Sequence, residues 1–293
     1  RPRAYIESRR SFFFAMRTPA CLRRGVSAMY LGKQIRLERI LDRNDHRTII
    51  VPMDHGVSMG PLPGIRDMRT TLFNLAEGGA DCVLMHKGQI RCTFRHEGRD
   101  LGLIMHMSAS TDHSPSANSK ALVASVEEAI RHGADGVSVH VNLGDPDEER
   151  MLADLGRVAE HCDNWGMPLL AMMYGRGPKI SDPFAPEVIA HCARVGVELG
   201  ADIVKVSYPG NMADFRDAIE GCSIPVVIAG GPVMDSTRSV LEMVSGAMQA
   251  GAAGCSIGRN VFEHPHLIQL LTAMRAIVHG NADLETALKL AGE

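Results

Sequence analysis

Eight short apolar runs recur along this chain, most of them followed by a helix-like stretch, and that alternation constrains the fold more than any other feature. The runs are "TIIVPMD" (48–54), "CVLMH" (82–86), "LGLIMHMS" (101–108) and "GVSVHVN" (136–142). They continue with "PLLAMMY" (168–174), "DIVKVSY" (202–208), "IPVVIAG" (224–230) and "AGCSIG" (253–258). Each is nearly continuous in apolar residues rather than alternating, which marks strands buried on both faces of a parallel sheet. The segments "SKALVASVEEAIRHG" (119–133) and "PEVIAHCARVGVELG" (186–200) read as helices. "HGAD" (132–135) and "LGAD" (199–202) place glycine at a helix end, directly before the next strand. Eight such units predict an α/β fold, a (β/α)8 TIM barrel forming a single domain over residues 29–293. A doubly wound sheet competes, but it usually carries a glycine-rich loop after its first strand. Here that strand ends in "PMDHG".

Residues 1–28 stand apart from this pattern. They hold seven arginines and a single acid, Glu7. Such a basic N-terminal extension reads either as an organellar transit peptide or as an upstream stretch ahead of a working chain that begins at Met29. The whole sequence carries a net charge of −3, which gives no electrostatic case for nucleic acid or an anionic membrane. No apolar run approaches the roughly 20 residues of a membrane span. Seven scattered cysteines, never spaced CxxC, point to a reduced compartment, hence the cytoplasm, without a disulfide frame or structural zinc.

A barrel of this kind places its chemistry at the C-terminal ends of its strands. Those ends read Asp54-His55, His86-Lys87, His106 with Ser108, and His140 with Asn142. The later ones read Tyr174 with Arg176, Lys205 with Ser207, Gly230-Gly231, and Gly258-Arg259. Lys205 is the oddest, an ammonium inside the apolar run "ADIVKVSYPG". A structural lysine there needs a carboxylate partner. The functional reading is a Schiff-base nucleophile, because desolvation favours the neutral amine that attacks a ketone. Tyr174 and Asp54 are the candidate proton shuttles. Alternatively, Tyr174 is a strand-end aromatic with a solvated hydroxyl, and Asp54 merely caps the next helix.

The turns "AGGP" (229–232) and "SIGRN" (256–260) follow the seventh and eighth strands, where barrels often bind phosphate. Glycine lets backbone N–H groups approach the anion, and Arg259 adds a fork. A phosphorylated keto compound is therefore the expected substrate. Three of the strand-end histidines His55, His86, His106 and His140, with Asp54, could instead hold a divalent metal, but no HxH or HExxH spacing supports a preformed site. The expectation is no metal and no cofactor.

Taken together, "LGKQIRLERI", "VPMDHG", "VLMHKG", "GVSVHVNLG", "WGMPLLAMMY", "GADIVKVSY", "VVIAGGP" and "GRNVF" resemble the archaeal-type class I aldolase family, in order and over essentially residues 29–290. The likeness is nearest to its branch that makes 2-amino-3,7-dideoxy-D-threo-hept-6-ulosonate. The resemblance implies a metal-free barrel with Lys205 as the Schiff-base residue, Tyr174 as proton donor and Asp54 as proton acceptor. Gly230, Gly231, Gly258 and Arg259 would hold phosphate, with His55 and Ser207 as further substrate contacts. It also implies a homo-oligomer, a decamer built of pentameric rings.

The implied reaction moves a three-carbon unit from 6-deoxy-5-ketofructose 1-phosphate to L-aspartate 4-semialdehyde. The alternatives are condensation of dihydroxyacetone phosphate with that aldehyde, and fructose-bisphosphate cleavage. A thiolase acting on a phosphorylated signal, a metal-dependent aldolase and an idle, sugar-phosphate-sensing barrel rank below these. Two departures from the family pattern stand out. Gly175 replaces a proline and is expected to loosen the loop that aims Tyr174, and Val206 replaces a threonine and is expected to shift substrate contacts.

Overall fold

A computed structural model describes residues 30–91 and 101–293 of the protein; the basic extension 1–28 lies outside them. The strands are β1 (Thr48–Pro52), β2 (Cys82–Met85), β3 (Gly102–His106), β4 (Ser108–Ala109), β5 (Ala121–Leu122), β6 (Gly136–Leu143), β7 (Leu169–Gly175), β8 (Ile203–Val206), β9 (Val226–Ala229) and β10 (Gly254–Ser256). The helices are α1 (Leu31–Leu37), α2 (His55–Met59), α3 (Met68–Gly78), α4 (Lys87–Ile90), α5 (Val126–Arg131) and α6 (Glu148–Trp165). They continue as α7 (Pro186–Glu198), α8 (Met212–Ile219), α9 (Thr237–Ala250), α10 (Arg259–Phe262), α11 (Leu267–Val278) and α12 (Leu284–Ala291). Every strand except β4 and β5 joins one closed parallel barrel, in chain order, with β10 returning to β1. The eight apolar runs are those eight strands. No helix among the described residues is long and apolar enough to cross a membrane.

One expectation fails locally. The stretch 119–133 is not a single helix. Ala121 and Leu122 pair antiparallel with Ala109 and Ser108 as β5 and β4. The helix begins only after Ser125, whose hydroxyl accepts from the N–H of Glu128. Between β4 and β5 the chain makes a polar excursion, residues 110–120, on the side of the barrel where the strands end.

Side chains alternate across each strand, so half of every strand fills the barrel and half faces the helices. Following the pairings once around displaces the register by eight residues, the shear of this fold. That shear stacks the inward side chains in layers of four from alternate strands. Cys82, Gly136, Ile203 and Gly254 form the lowest layer. Ile50, Ile104, Leu170 and Val227 form the next, and Ile40 plugs the end beneath them. Leu84, Ser138, Lys205 and Ser256 form the third. Above lie Pro52, His106, Met172 and Ala229, then His86, His140, Ser207 and Gly258, then Asp54, Ser108, Tyr174 and Gly231. The barrel is apolar at its base and turns polar at the level of Lys205.

The base is closed by a device used three times. Asp81, Asp135 and Asp202 each follow a Gly-Ala pair at a strand entry. Their carboxylates accept from an N–H at the start of a neighbouring strand, that of Ile49, Leu103 and Leu169, at 2.7, 2.9 and 2.9 Å. A cation meets each one: Arg275 at Asp81, Arg39 at Asp135 and Lys33 at Asp202. Gly133 and Gly200, with φ of 71° and 91°, end α5 and α7 as their spacing predicts. These ion pairs knit the base together, while the polar strand ends gather at the other end.

Candidate active site

A cavity of about 650 Å³ opens at the C-terminal mouth of the barrel. Asp54, His55, Tyr174, Lys205, Ser207, Gly230, Gly231, Gly258 and Arg259 all line it, so every sequence-predicted site residue reaches one space. Lys205 is 6% exposed and has no carboxylate within ion-pair distance among the described residues. The structural alternative for it required an ion-pair partner, and among the described residues Lys205 forms no such pair, Asp54 acting on it only from a distance.

Asp54 precedes α2 but its side chain makes no capping bond. Its carboxylate turns into the barrel instead, 3.7 Å from His106 Nε2 and 3.6 Å from His55 Nδ1. Burial alone would push its pKa up. The positive charge that His106, His55, Lys205 and His86 can present outweighs burial and holds Asp54 below the usual carboxylate range. Burial pushes His106 down to about 3 and His140 well below the ordinary imidazole value, and it lowers His55 and His86 as well. The mouth is therefore lined by two carboxylates, Asp54 and Asp112, and by four imidazoles whose burial disfavours their protonated form. His106 Nδ1 lies 2.7 Å from Ser138 Oγ, and His140 Nε2 lies 2.9 Å from Asn142 Oδ1. Among the described residues, no three His, Cys, Asp or Glu side chains are grouped to hold a metal ion.

Tyr174 is buried at 7% exposure and lines the cavity. His140 meets its ring edge-on at 5.0 Å, and the Arg176 guanidinium covers it at 4.5 Å.

The turns after β9 and β10 converge. The N–H groups of Gly230, Gly231 and Gly258 donate to nothing among the described residues. A Cβ on Gly258 would stand 2.6 Å from Pro52 O and from the His55 ring, so only glycine fits. Arg259 donates from Nη2 to Gly231 O at 3.1 Å, while its buried Nε has no partner. Asn260 ties the two turns together. Its amide donates to Gly230 O and Pro232 O at 3.0 and 2.9 Å and accepts from Met234 N–H at 2.7 Å.

Lys120, inside a stretch whose composition predicts a helix, is a cavity residue that the sequence pattern does not point to. It stands at the end of the polar excursion, lines the cavity and donates to Ser110 Oγ and Ala117 O. Burial, and then the nearby Arg176, lower its pKa. Neither cation forms an ion pair among the described residues, although Asp54 and Asp112 act on Lys120 from nearby, and Lys120 and Arg176 face the cavity together. The one available signal was the length and polarity of the segment 108–120 on the catalytic side of a barrel.

Two expectations about departures are overturned. Val206 points outward into the helix layer, on the opposite face from Lys205, and does not touch the cavity. Gly175 is paired in β7 opposite Leu143, and a Cβ there would meet Val188 Cγ1 at 2.3 Å. It packs the strand against α7 rather than loosening a loop.

Residues 48–264 match the model of the DeoC/LacD family aldolases. A 2-amino-4,5-dihydroxy-6-oxo-7-(phosphonooxy)heptanoate synthase of Streptomyces griseus is 42% identical over 261 residues, 89% of this chain and 95% of that one. A 2-amino-3,7-dideoxy-D-threo-hept-6-ulosonate synthase of Archaeoglobus fulgidus is 42% identical over 262 residues, 89% and 96% of the two chains. A Schiff-base-forming fructose-1,6-bisphosphate aldolase superposes with a TM-score of 0.78 at 28% identity, covering 84% of this chain and 99% of its own. An archaeal fructose-1,6-bisphosphate aldolase, with its catalytic lysine bound to a carbinolamine intermediate, gives 0.77 at 28% identity over 85% and 100%. Closed barrel, lysine-floored cavity and these likenesses agree: the chain belongs to the DeoC/LacD family of aldolases.

Proposed function

We propose that this aldolase carries a three-carbon keto unit on Lys205 and joins it to L-aspartate 4-semialdehyde. The observation that carries this reading is the lysine at the cavity floor, without an ion-pair partner, set between two anion-binding features. The turns of Gly230, Gly231, Gly258 and Arg259 would take a phosphate. Lys120 and Arg176 would take the carboxylate of the aldehyde. The names of the two synthases support the skeleton, since both products are seven-carbon 2-amino acids with a ketone at position 6.

The steps follow from this placement. The Lys205 amine adds to the donor ketone, and loss of water from the carbinolamine gives an iminium. Asp54, ionised in this site, accepts a proton as the enamine forms, either by deprotonation or by carbon–carbon cleavage. Tyr174, above Lys205, donates the proton that the new alkoxide needs when the enamine attacks the aldehyde. Water then releases the product and regenerates the amine. His55 and Ser207 contact the substrate beside the phosphate turn.

The donor read first from the resemblance, 6-deoxy-5-ketofructose 1-phosphate, leaves a methyl ketone on Lys205. A second reading, dihydroxyacetone phosphate, leaves a phosphorylated one. It is favoured by the phosphate turn, whose Gly258 is the next inward residue after Ser256 in the layer of Lys205. Incubating the protein with L-aspartate 4-semialdehyde and each donor, and weighing the products, tests the proposal. A seven-carbon amino acid from either donor supports it, and turnover of fructose 1,6-bisphosphate alone refutes it.

The same resemblance supplies a homo-oligomer, and exposed Tyr30, Leu31 and Ile35 near Trp165 are apolar surface that an assembly would cover. Light scattering on the eluting protein measures this directly. The free cysteines Cys82, Cys162, Cys192, Cys222 and Cys255 support a reducing, cytoplasmic setting.

A further inference from the structure

Ser256 carries a hydroxyl that the fold itself does not use. The residue is 1% exposed, and its Oγ has no hydrogen-bond partner among the described residues. An orphaned buried hydroxyl is unfavourable, and alanine would pack the same position without that penalty. Its layer-mate Ser138 is satisfied by His106 Nδ1 at 2.7 Å. Ser256 lines the cavity, and rotation about its single χ1 bond is enough to turn Oγ into it.

The register gives this orphan a position relative to the chemistry. Ser256 shares the third barrel layer with Lys205, with only β9 between their strands. The next inward residue along the same strand direction is Gly258, in the phosphate turn. Consider a three-carbon donor with C2 bonded to Lys205 Nζ and a phosphate on C1 held by Gly231 and Gly258. The C1–O–P link of that donor must pass over Ser256.

We propose that Ser256 selects the donor by donating a hydrogen bond to the oxygen on C1, the bridging ester oxygen of dihydroxyacetone phosphate. This rests on the reading of Lys205 and the phosphate turn given above. A donor unit with a methyl group at C1 covers Ser256 and leaves its hydroxyl unpaired, so it is disfavoured. A site built to hydrogen-bond one atom discriminates most strongly against analogues that lack that atom. Ser256 thereby biases the enzyme toward products that keep a phosphooxymethyl group at position 7.

The test compares dihydroxyacetone phosphate with its phosphonate analogue, in which CH2 replaces the bridging oxygen. Borohydride trapping on Lys205 is followed by intact mass and needs no acceptor. In the unmodified protein the ester should be trapped roughly tenfold or more faster at subsaturating ketone. In Ser256→Ala the ratio should fall to within about threefold, through slower trapping of the ester, with the melting temperature held or raised. An unchanged ratio in Ser256→Ala, with trapping intact, overturns the role of Ser256 alone. No adduct on Lys205 with either ketone overturns the Schiff-base reading, and this proposal with it.

Discussion

Asp54 Oδ2 lies 3.7 Å from His106 Nε2, while the far nitrogen of that ring is engaged by Ser138 at 2.7 Å. The separation is beyond a direct hydrogen bond but well within electrostatic reach. His106 thus presents a fixed, neutral ring to an ionised carboxylate, and Asp54 is free to take a proton from substrate. Asp54→Asn should reduce turnover by about 10²- to 10⁴-fold, the range for loss of a general base. Borohydride trapping on Lys205 should continue, because the amine itself is untouched. Equal loss of trapping and turnover would assign Asp54 to holding the lysine rather than to proton transfer.

The base of the barrel supplies a pH-dependent contribution to stability. His279 bridges Asp45 and Asp81 at 2.8 and 2.9 Å. Burial works against its protonated form, yet the two carboxylates prevail and raise its pKa above 6.5. A raised pKa means the stabilisation is complete below the unfolded value near 6.5 and fades as pH rises through the folded value. His279→Ala should therefore lose roughly 1–2 kcal/mol more at pH 6 than at a pH well above the folded pKa, read from urea midpoints.

Lys120 and Arg176 are assigned to the acceptor. Lys120→Ala should raise KM for L-aspartate 4-semialdehyde by about tenfold or more, with kcat changed by less than about threefold. KM for the phosphorylated donor should stay near its original value. If both KM values rise together, Lys120 holds the excursion in place and does not contact the aldehyde.

Asn260 acts through the phosphate turn rather than on the substrate. Its three bonds hold Gly230, Pro232 and Met234 in one arrangement. Asn260→Ala should weaken inorganic phosphate binding by about tenfold, as measured by calorimetry. Trapping of unphosphorylated dihydroxyacetone on Lys205 should be nearly unaffected, an asymmetry that general destabilisation would not produce.

Much of this architecture is legible in the residues. The strand runs, the glycine-ended helices and the polar strand ends follow from periodicity and local conformational preference, and the barrel follows from their number. Lys205 is conspicuous because nothing structural calls for an ammonium in an apolar strand. What the chain hides is what depends on closure. Ser256 and Val206 look alike in sequence, each one residue within an apolar strand. Only the register shows that one shares the layer of Lys205 and the other faces the helices. Lys120 was hidden for a different reason. A helix-like composition across 119–133 masked a hairpin that tertiary pairing with Ser108 and Ala109 imposes. Asn260 has no local signal at all, since its partners lie about thirty residues away in another loop.

The most direct measurement is where a reduced ketone ends up. Dihydroxyacetone phosphate and borohydride should add one three-carbon unit to the intact protein, and peptide mapping should place it on Lys205. Lys205→Ala should give no adduct and lose about 10³-fold or more of its activity while keeping its fold. An adduct on Lys87 or Lys120 in the unmodified protein, or full activity in Lys205→Ala, would contradict the account.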